Sequence, residues 1–368
     1  VQRNAHKSVF HAIQLVGAKP VYLAPQWDEH TNSAGAVPFE TVKEALKRHP
    51  EAKAIVLTYP TYYGVVAQDL KQQIELCHTH HIPVLVDEAH GAHFTASERF
   101  PISALDLGAD VVVQSAHKTL PAMTMASFMH IKSTLVSESK INQYLRMLQS
   151  SSPSYLLLAS LDDARYYISK YMESDAVYCL EKRNQWIESL RSIPELEVIE
   201  ADDPLKICIR MPGYTGMELK EALEESQLYV ELADMEQVLA ILPLLKHGET
   251  YPYAELRMRV KNAVAQLKTR KGSGFLHASK QYEMAAIITP NATFEEIEVM
   301  DKEWIPYMRA IGRIAASMLI PYPPGVPLFV PGEKITVGKL SQLEELLAID
   351  ATFQGDHRLE ERLIQVLK

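Results

Sequence analysis

Cysteine is scarce in this chain: three residues in 368, Cys77, Cys179 and Cys208. None falls in a Cys-x-x-Cys pair, and none stands with histidines at zinc-ligand spacing. A disulfide framework and a metal centre are therefore not expected, and a reduced, cytoplasmic protein is. Long apolar runs are missing as well. Nothing approaches the ~20 residues of a membrane helix, and the most apolar late stretch, Ile314 to Val330, is cut by Pro321, Pro323, Pro324 and Pro327. No membrane partner is expected. No signal-peptide pattern, internal repeat or low-complexity tract occurs in the residues given. Positive charge is in deficit, with 37 Lys and Arg against 46 Asp and Glu, a net charge of −9 and a pI near 5.9. Such a chain repels phosphate backbones, so no nucleic-acid partner is expected either. What remains is an ordinary globular composition, 47% hydrophobic and 23% charged. At roughly 100–200 residues per domain, the length suggests two or three domains. The chain opens on Val1-Gln2-Arg3-Asn4, which reads as the interior of a domain. An N-terminal portion is expected to be missing.

The first half alternates apolar runs with amphipathic stretches. Val21–Leu23, Ala54–Thr58, Pro83–Asp87 and Asp110–Gln114 read as strands, and 124–131 as one more. Between them, 39–49 and 69–80 carry helical spacing. Continuous apolar runs, rather than alternating ones, mark strands of a parallel sheet buried on both faces, and strand-helix alternation marks an α/β layer fold. Two long helices are predicted at 154–172 and 174–192. A smaller α/β unit follows, with strands at 196–200, 206–210, 228–231 and 238–242, a helix at 215–226, and another at 253–270.

In an open parallel sheet, ligands bind at the carboxyl ends of the strands. Two strand ends stand out. Asp87 closes one, in Asp87-Glu88-Ala89-His90-Gly91, where a carboxylate is costly unless it meets a cation. Ser115-Ala116-His117-Lys118 follows the next, and a partly desolvated lysine there has a lowered pKa and can form a Schiff base. Alone, the first has a helix cap as its lesser reading, and the second reads as a surface lysine. Together, an acid at one strand end and Ser-x-His-Lys at the next suit pyridoxal phosphate: the lysine takes the aldehyde, and the carboxylate keeps the pyridine nitrogen protonated. Thr58 and Tyr62 lie at a third strand end and are weighed evenly between structural and ligand contact. His78, His80 and His81 read as a solvated helix end, because no carboxylate is spaced to complete a metal site.

Five segments in order carry a resemblance: Arg3-Asn4-Ala5-His6-Lys7-Ser8, Asp87 to Gly91, Ser115 to Lys118, Ser151 to Tyr155, and Pro321 to Pro327 followed by Pro331-Gly332-Glu333. They resemble the bacterial ornithine/lysine/arginine decarboxylases, in the short form without the wing domain. The resemblance implies an aspartate-aminotransferase-like fold of type I. Its parts would be a mainly parallel large domain over 1–160, a smaller α/β domain over 161–252 and a C-terminal domain over 253–368. It implies pyridoxal 5'-phosphate as cofactor, Lys118 as the Schiff-base lysine, Asp87 on the pyridine nitrogen and His6 stacked on the ring. Ser115 and His117 would contact the phosphate, and Ser150 or Ser151 would reach the phosphate of a neighbouring subunit in a homodimer or higher assembly. His90 would line the pocket and serve as a candidate proton donor. Glu231, in Leu228-Tyr229-Val230-Glu231, resembles the glutamate that meets the distal cation of a basic amino acid.

The implied reaction is α-decarboxylation of arginine or lysine, with ornithine behind them. The family's Gly-Ser/Thr-rich phosphate loop precedes the first motif and is absent from the residues given, so the given chain is expected to hold cofactor poorly. Two rivals stay open: another fold-type-I reaction such as transamination, with Arg210 or Arg257 as carboxylate clamp, and a cofactor-poor, non-enzymatic relative.

Overall fold

The structure, a computed structural model, describes residues 1–270, 272, 285–322, 326–348 and 351–368. Pro323, Pro324 and Gly325 of the proline-rich motif lie outside the described residues. Two compact units emerge, Val1–Pro25 with Ala278–Lys368, and Gln26–His277.

The first unit begins with α1 (Lys7–Leu15), capped by the His6 side chain, which accepts from the Ser8 amide. Phe10 and Ile13 are its buried face. β1 (Tyr22–Leu23) follows. Sequence reasoning placed this segment at the head of the parallel-strand series. It pairs instead antiparallel with Ile287–Ile288. Tyr22 is fully buried, its ring 5.5 Å from that of Phe10, so packing with α1 fixes the segment here.

The second unit opens with a small hairpin, β2 (Trp27–Asp28) on β3 (Ser33–Ala34). α2 (Phe39–Arg48) buries Val42, Ala45 and Leu46, and has Glu40 in its first turn and Lys47 and Arg48 in its last, as the helix dipole favours. Then come β4 (Ile55–Thr58), α3 (Leu70–Thr79), β5 (Val84–Asp87), β6 (Val111–Gln114), α4 (Ala116–Thr119) and β7 (Phe128–Ile131). The sheet order is β4-β5-β6-β7, parallel for the first two pairs and antiparallel for the last. The apolar runs thus do form a mainly parallel sheet. Full burial on both faces does not hold: along β4 and β5 buried positions alternate with half-buried ones.

α5 (Glu138–Leu148), which the sequence reading missed, and α6 (Tyr155–Ser169) come next, then α7 (Glu173–Arg191). The antiparallel sheet of β8 (Glu197–Glu200), β9 (Lys206–Arg210), β10 (Leu232–Ala233) and β11 (Val238–Ile241) has the order β10-β11-β9-β8. α7, α8 (Gly216–Glu225) and α9 (Tyr253–Lys268) share its core through Ile187, Leu190, Leu219, Leu223, Val260 and Val264. The predicted strand at 228–231 is not one. Gln227 turns with φ 59° after α8, and ladder bonding starts only at the Glu231 amide, which donates to Leu239 O at 2.9 Å.

The chain then returns to the first unit: β12 (Ile287–Ile288), α10 (Phe294–Val299), β13 (Lys302–Pro306), β14 (Leu319–Tyr322), α11 (Val337–Ala348), β15 (Thr352–Gly355) and β16 (Leu363–Leu367). β13 pairs with β16 and β14 with β15, all antiparallel, around Leu319, Phe329, Ile335, Leu343 and Val366.

Arg3 ties the start of this unit to its end. Its guanidinium makes a bidentate, buried pair with Glu333, both contacts 2.9 Å, and donates to Pro327 O and Leu328 O. Two motif segments that the sequence reading valued for function therefore meet each other. Packing also departs from boundaries at 160 and 252. Residues 1–25 join the C-terminal segment, and α9 joins the antiparallel sheet.

Candidate active site

β5 and β6 are parallel neighbours, so the segments leaving them emerge at one edge. Asp87, the last residue of β5, stands in register with Thr58 on β4 and Val113 on β6. Its carboxylate accepts from the Ala89 amide at 3.2 Å. After β6, Ser115 occupies the N-cap of α4 in extended conformation, and one short turn carries Lys118. The Lys118 Nζ lies 2.9 Å from His90 Nε2 and 5.3 Å from the centroid of the Tyr62 ring. The Tyr62 and His90 rings are 4.4 Å apart. Tyr62 donates its hydroxyl proton to Glu231 Oε1 at 2.8 Å. Burial pulls the Lys118 ammonium below the usual lysine range, and the carboxylates of Asp87 and Glu231 pull the other way.

The fold thus gathers four of the residues singled out from sequence: His90, Lys118 and Glu231 touch the Tyr62 side chain, and Asp87 acts on the Lys118 charge. His90 is buried, Asp87 and Lys118 are half-buried, and Glu231 is exposed. Ser115 is placed one turn before Lys118, whereas the His117 ring is held on the Ala126 carbonyl at 3.0 Å. His6 lies in the other compact unit, as an exposed cap of α1. Ser150 bonds locally to Ser152 at 3.2 Å and is exposed with Ser151 between α5 and α6.

The His78 reading needs correction. His78 Nε2 bonds Asp110 Oδ2 at 2.8 Å, a carboxylate that also accepts from the Val84 amide. Parallel pairing brings that partner in from 32 positions away, which no local spacing reveals. Among the described residues no group of three or more His, Cys, Asp or Glu is placed to hold a metal.

Sequence reasoning missed Lys206 and undervalued Tyr62. Lys206 is fully buried, and its Nζ donates to Tyr62 O at 2.7 Å and Thr61 O at 3.3 Å. The signal was present: a lysine opens the apolar strand Lys206-Ile207-Cys208-Ile209, and lysine is almost never fully buried unless paired. Glu88, beside Asp87, is also fully buried. It accepts from Ser103 Oγ, the Ala104 amide and Gln114 Nε2.

Comparison with known proteins gives the site its context. Residues 1–208 match the family model of the Orn/Lys/Arg decarboxylase major domain, and residues 275–355 that of the Orn/Lys/Arg decarboxylase C-terminal domain. The chain is 42% identical to the YaaO protein of Bacillus subtilis over 100% of its own length and 77% of the relative's. It is 33% identical to the arginine decarboxylase of the same organism, over 100% and 76%. In fold it is similar to the Francisella novicida lysine decarboxylase LdcF, with a TM-score of 0.76 at 19% identity, covering 100% of this chain and 66% of that one. The chain thus spans about three quarters of the two curated relatives and 66% of the solved enzyme. With both family domains matched in order, the chain belongs to the Orn/Lys/Arg decarboxylase family.

Proposed function

We propose that the protein is a pyridoxal phosphate-dependent carboxy-lyase that removes the α-carboxylate of arginine or lysine, with ornithine as a further candidate, and releases the amine and CO2. The observation that carries this reading is the Lys118 Nζ beside His90, with Asp87 and Glu231 both acting on its charge, at the carboxyl edge of a parallel sheet. The donor set fits the cofactor: a partly desolvated amine for the aldehyde, a strand-end carboxylate for the ring nitrogen, and polar side chains at the start of α4 for the phosphate. When bound, pyridoxal phosphate supplies the electron sink for the bond that breaks.

The chain's own residues then have these roles. Lys118 carries the cofactor. Asp87 keeps the proton on the pyridine nitrogen. Ser115 and His117 would hold the phosphate, with Ser150 or Ser151 serving a neighbouring subunit. His90 Nε2 exchanges a proton with the Lys118 amine and supplies one to the substrate Cα. Glu231 receives the distal cation of the substrate. The homologues' names, arginine decarboxylase among them, support the substrate class. Transamination is less well supported, because both candidate clamps are engaged elsewhere. Arg210 bonds Gln237 and Thr31 O, and Arg257 bonds Ser189 O and Ser192. A homodimer is supported by exposed apolar side chains on α5 and α6, and a cytoplasmic location by three free, buried cysteines.

The test is chemical. Full-length protein loaded with pyridoxal phosphate is reduced with borohydride and digested, and the labelled lysine is mapped. Label on Lys118, absent in Lys118→Ala, together with amine from arginine or lysine, is the expected result. Label on another lysine, or a keto acid as product, overturns it.

A further inference from the structure

Lys206 stands outside every role just given, yet its placement is specific. It starts β9 in the antiparallel sheet, and its side chain is fully buried. It reaches the loop that leaves β4, where its ammonium bonds the main-chain carbonyls of Tyr62 and Thr61 and lies 5.9 Å from the Tyr62 ring centroid. The loop is shaped to let it pass. Gly64 has φ 89°, and a Cβ there would come within 2.9 Å of Lys206 Cδ and 3.0 Å of Ala201 Cβ. A second tie runs beside it: Asp203 donates its amide to Gly64 O at 3.0 Å, and its carboxylate is bonded to the buried His93 at 3.0 Å.

We propose that Lys206 is a positioning residue for this site: from β9 it clamps the Thr61–Tyr62 main chain, so that the Tyr62 ring is held against His90 and its hydroxyl against Glu231, with the Lys206 ammonium as near that ring as the Lys118 ammonium is. The inference rests on the proposed reading of Lys118 and Glu231. It adds that the amine end and the cation-recognising end are set by one clamped side chain. Tyr62 is the rigid link, and Lys206 is what makes it rigid.

Two consequences are measurable. The groups acting around Lys118 are Asp87 at the end of β5, His90 beyond it, Tyr62 beyond β4, Glu231 before β10, and Lys206, which itself interacts with Asp203. Among these, Lys206 is the one other ammonium. Like charges disfavour each other, and burial with Lys118 nearby holds Lys206 itself down to about 8. Removing Lys206 therefore makes Lys118 easier to protonate. It also frees Tyr62, and with it the orientation of Glu231.

The test compares wild type, Lys206→Met and Tyr62→Phe in the full-length protein. In protein stripped of cofactor, the pH dependence of Lys118 modification by an amine reagent is followed by peptide mass spectrometry. The midpoint is expected to rise by about half a pH unit or more in Lys206→Met, while Tyr62→Phe stays near wild type. In the loaded enzyme, KM for the basic amino acid is expected to rise about tenfold in each variant, with no further rise in the double variant, because both act through one link. An unmoved Lys118 midpoint in folded Lys206→Met, or KM effects that multiply, overturns the clamp. If Lys206→Met fails to fold, Tyr62→Phe decides alone: an unchanged KM overturns the link to Glu231. Borohydride mapping keeps the two ideas apart. Label away from Lys118 removes the functional reading, whereas label on Lys118 with unmoved midpoint and KM removes only the clamp.

Discussion

Asp87 and Glu88 are consecutive carboxylates in unlike surroundings. Asp87 ends its strand half-buried with Lys118 acting nearby, whereas Glu88 is sealed among Ser103, the Ala104 amide and Gln114, whose own Oε1 bonds His130. Burial pushes the Glu88 carboxyl up to about 7, against the three donors that favour its charge. Its folded-state value thus lies above that of the unfolded chain. Between about 4.5 and about 7 the folded protein keeps a proton that the unfolded chain has lost, so stability falls as pH rises through that window and levels off above it. The cost approaches about 3 kcal/mol. Glu88→Gln removes this dependence, so its stability relative to wild type is expected to improve by up to about 3 kcal/mol from pH 5 to pH 8, read from urea unfolding at both values. Glu231 allows a different measurement. Glu231→Gln keeps the shape and removes the anion, and KM for arginine or lysine is expected to rise about 10- to 100-fold while a borohydride-reducible lysine persists. Asp87 and Lys118 were legible because each stands at the end of an apolar run, whereas His90 and Glu231 were singled out with the help of the family resemblance. Lys206 left a signal as a lysine in an apolar strand, but its partners did not: they are main-chain carbonyls some 144 positions away, and carbonyls leave no mark in a sequence.

Elements show where pattern reading works and where it stops. The β4, β5 and β6 runs were legible because parallel strands carry a local surplus of apolar residues. The 228–231 segment has the same composition, yet pairing starts only at its last residue, because α8 and the turn at Gln227 take up the residues before it. β1 was assigned to the wrong sheet, since two residues hold no record of their partner. The Arg3–Glu333 pair adds a tie in the same unit. Arg3 also lies 5.6 Å from the Phe10 ring and 5.7 Å from that of Tyr22, and Lys339 adds a second cation to Glu333. A buried pair stripped of one partner loses about 3–5 kcal/mol. Arg3→Ala is expected to lower the unfolding free energy by that order and to raise amide exchange in α1 and β1, with α2 and α3 unchanged, by hydrogen-exchange mass spectrometry. Retained protection in α1 would show that apolar packing alone holds it.

At the scale of the molecule, the apolar surface is unevenly spread. Met147 and Leu148 on α5 and Tyr155 and Leu156 on α6 are 68–80% exposed, while α5 buries no residue at all. Ser150 and Ser151, expected to serve a neighbouring site, lie between these two helices. An amphipathic helix with no buried face gains stability only from a partner. Leu148→Arg with Leu156→Arg is expected to convert the proposed homodimer to monomers in sedimentation experiments and to lower activity at least tenfold, with the fold intact by circular dichroism. A dimer that survives both changes would place the contact elsewhere. One compact unit combines residues 1–25 with 278–368, and the other takes the sequence between them. That arrangement has a consequence for synthesis on the ribosome. Arg3 emerges 330 residues before Glu333, a delay of roughly half a minute at about 5–20 residues per second. Throughout that interval the middle unit can mature alone, while the early segment must be shielded or tolerated unpaired, so any stalling late in translation leaves a half-finished enzyme whose first helix has nothing to close upon.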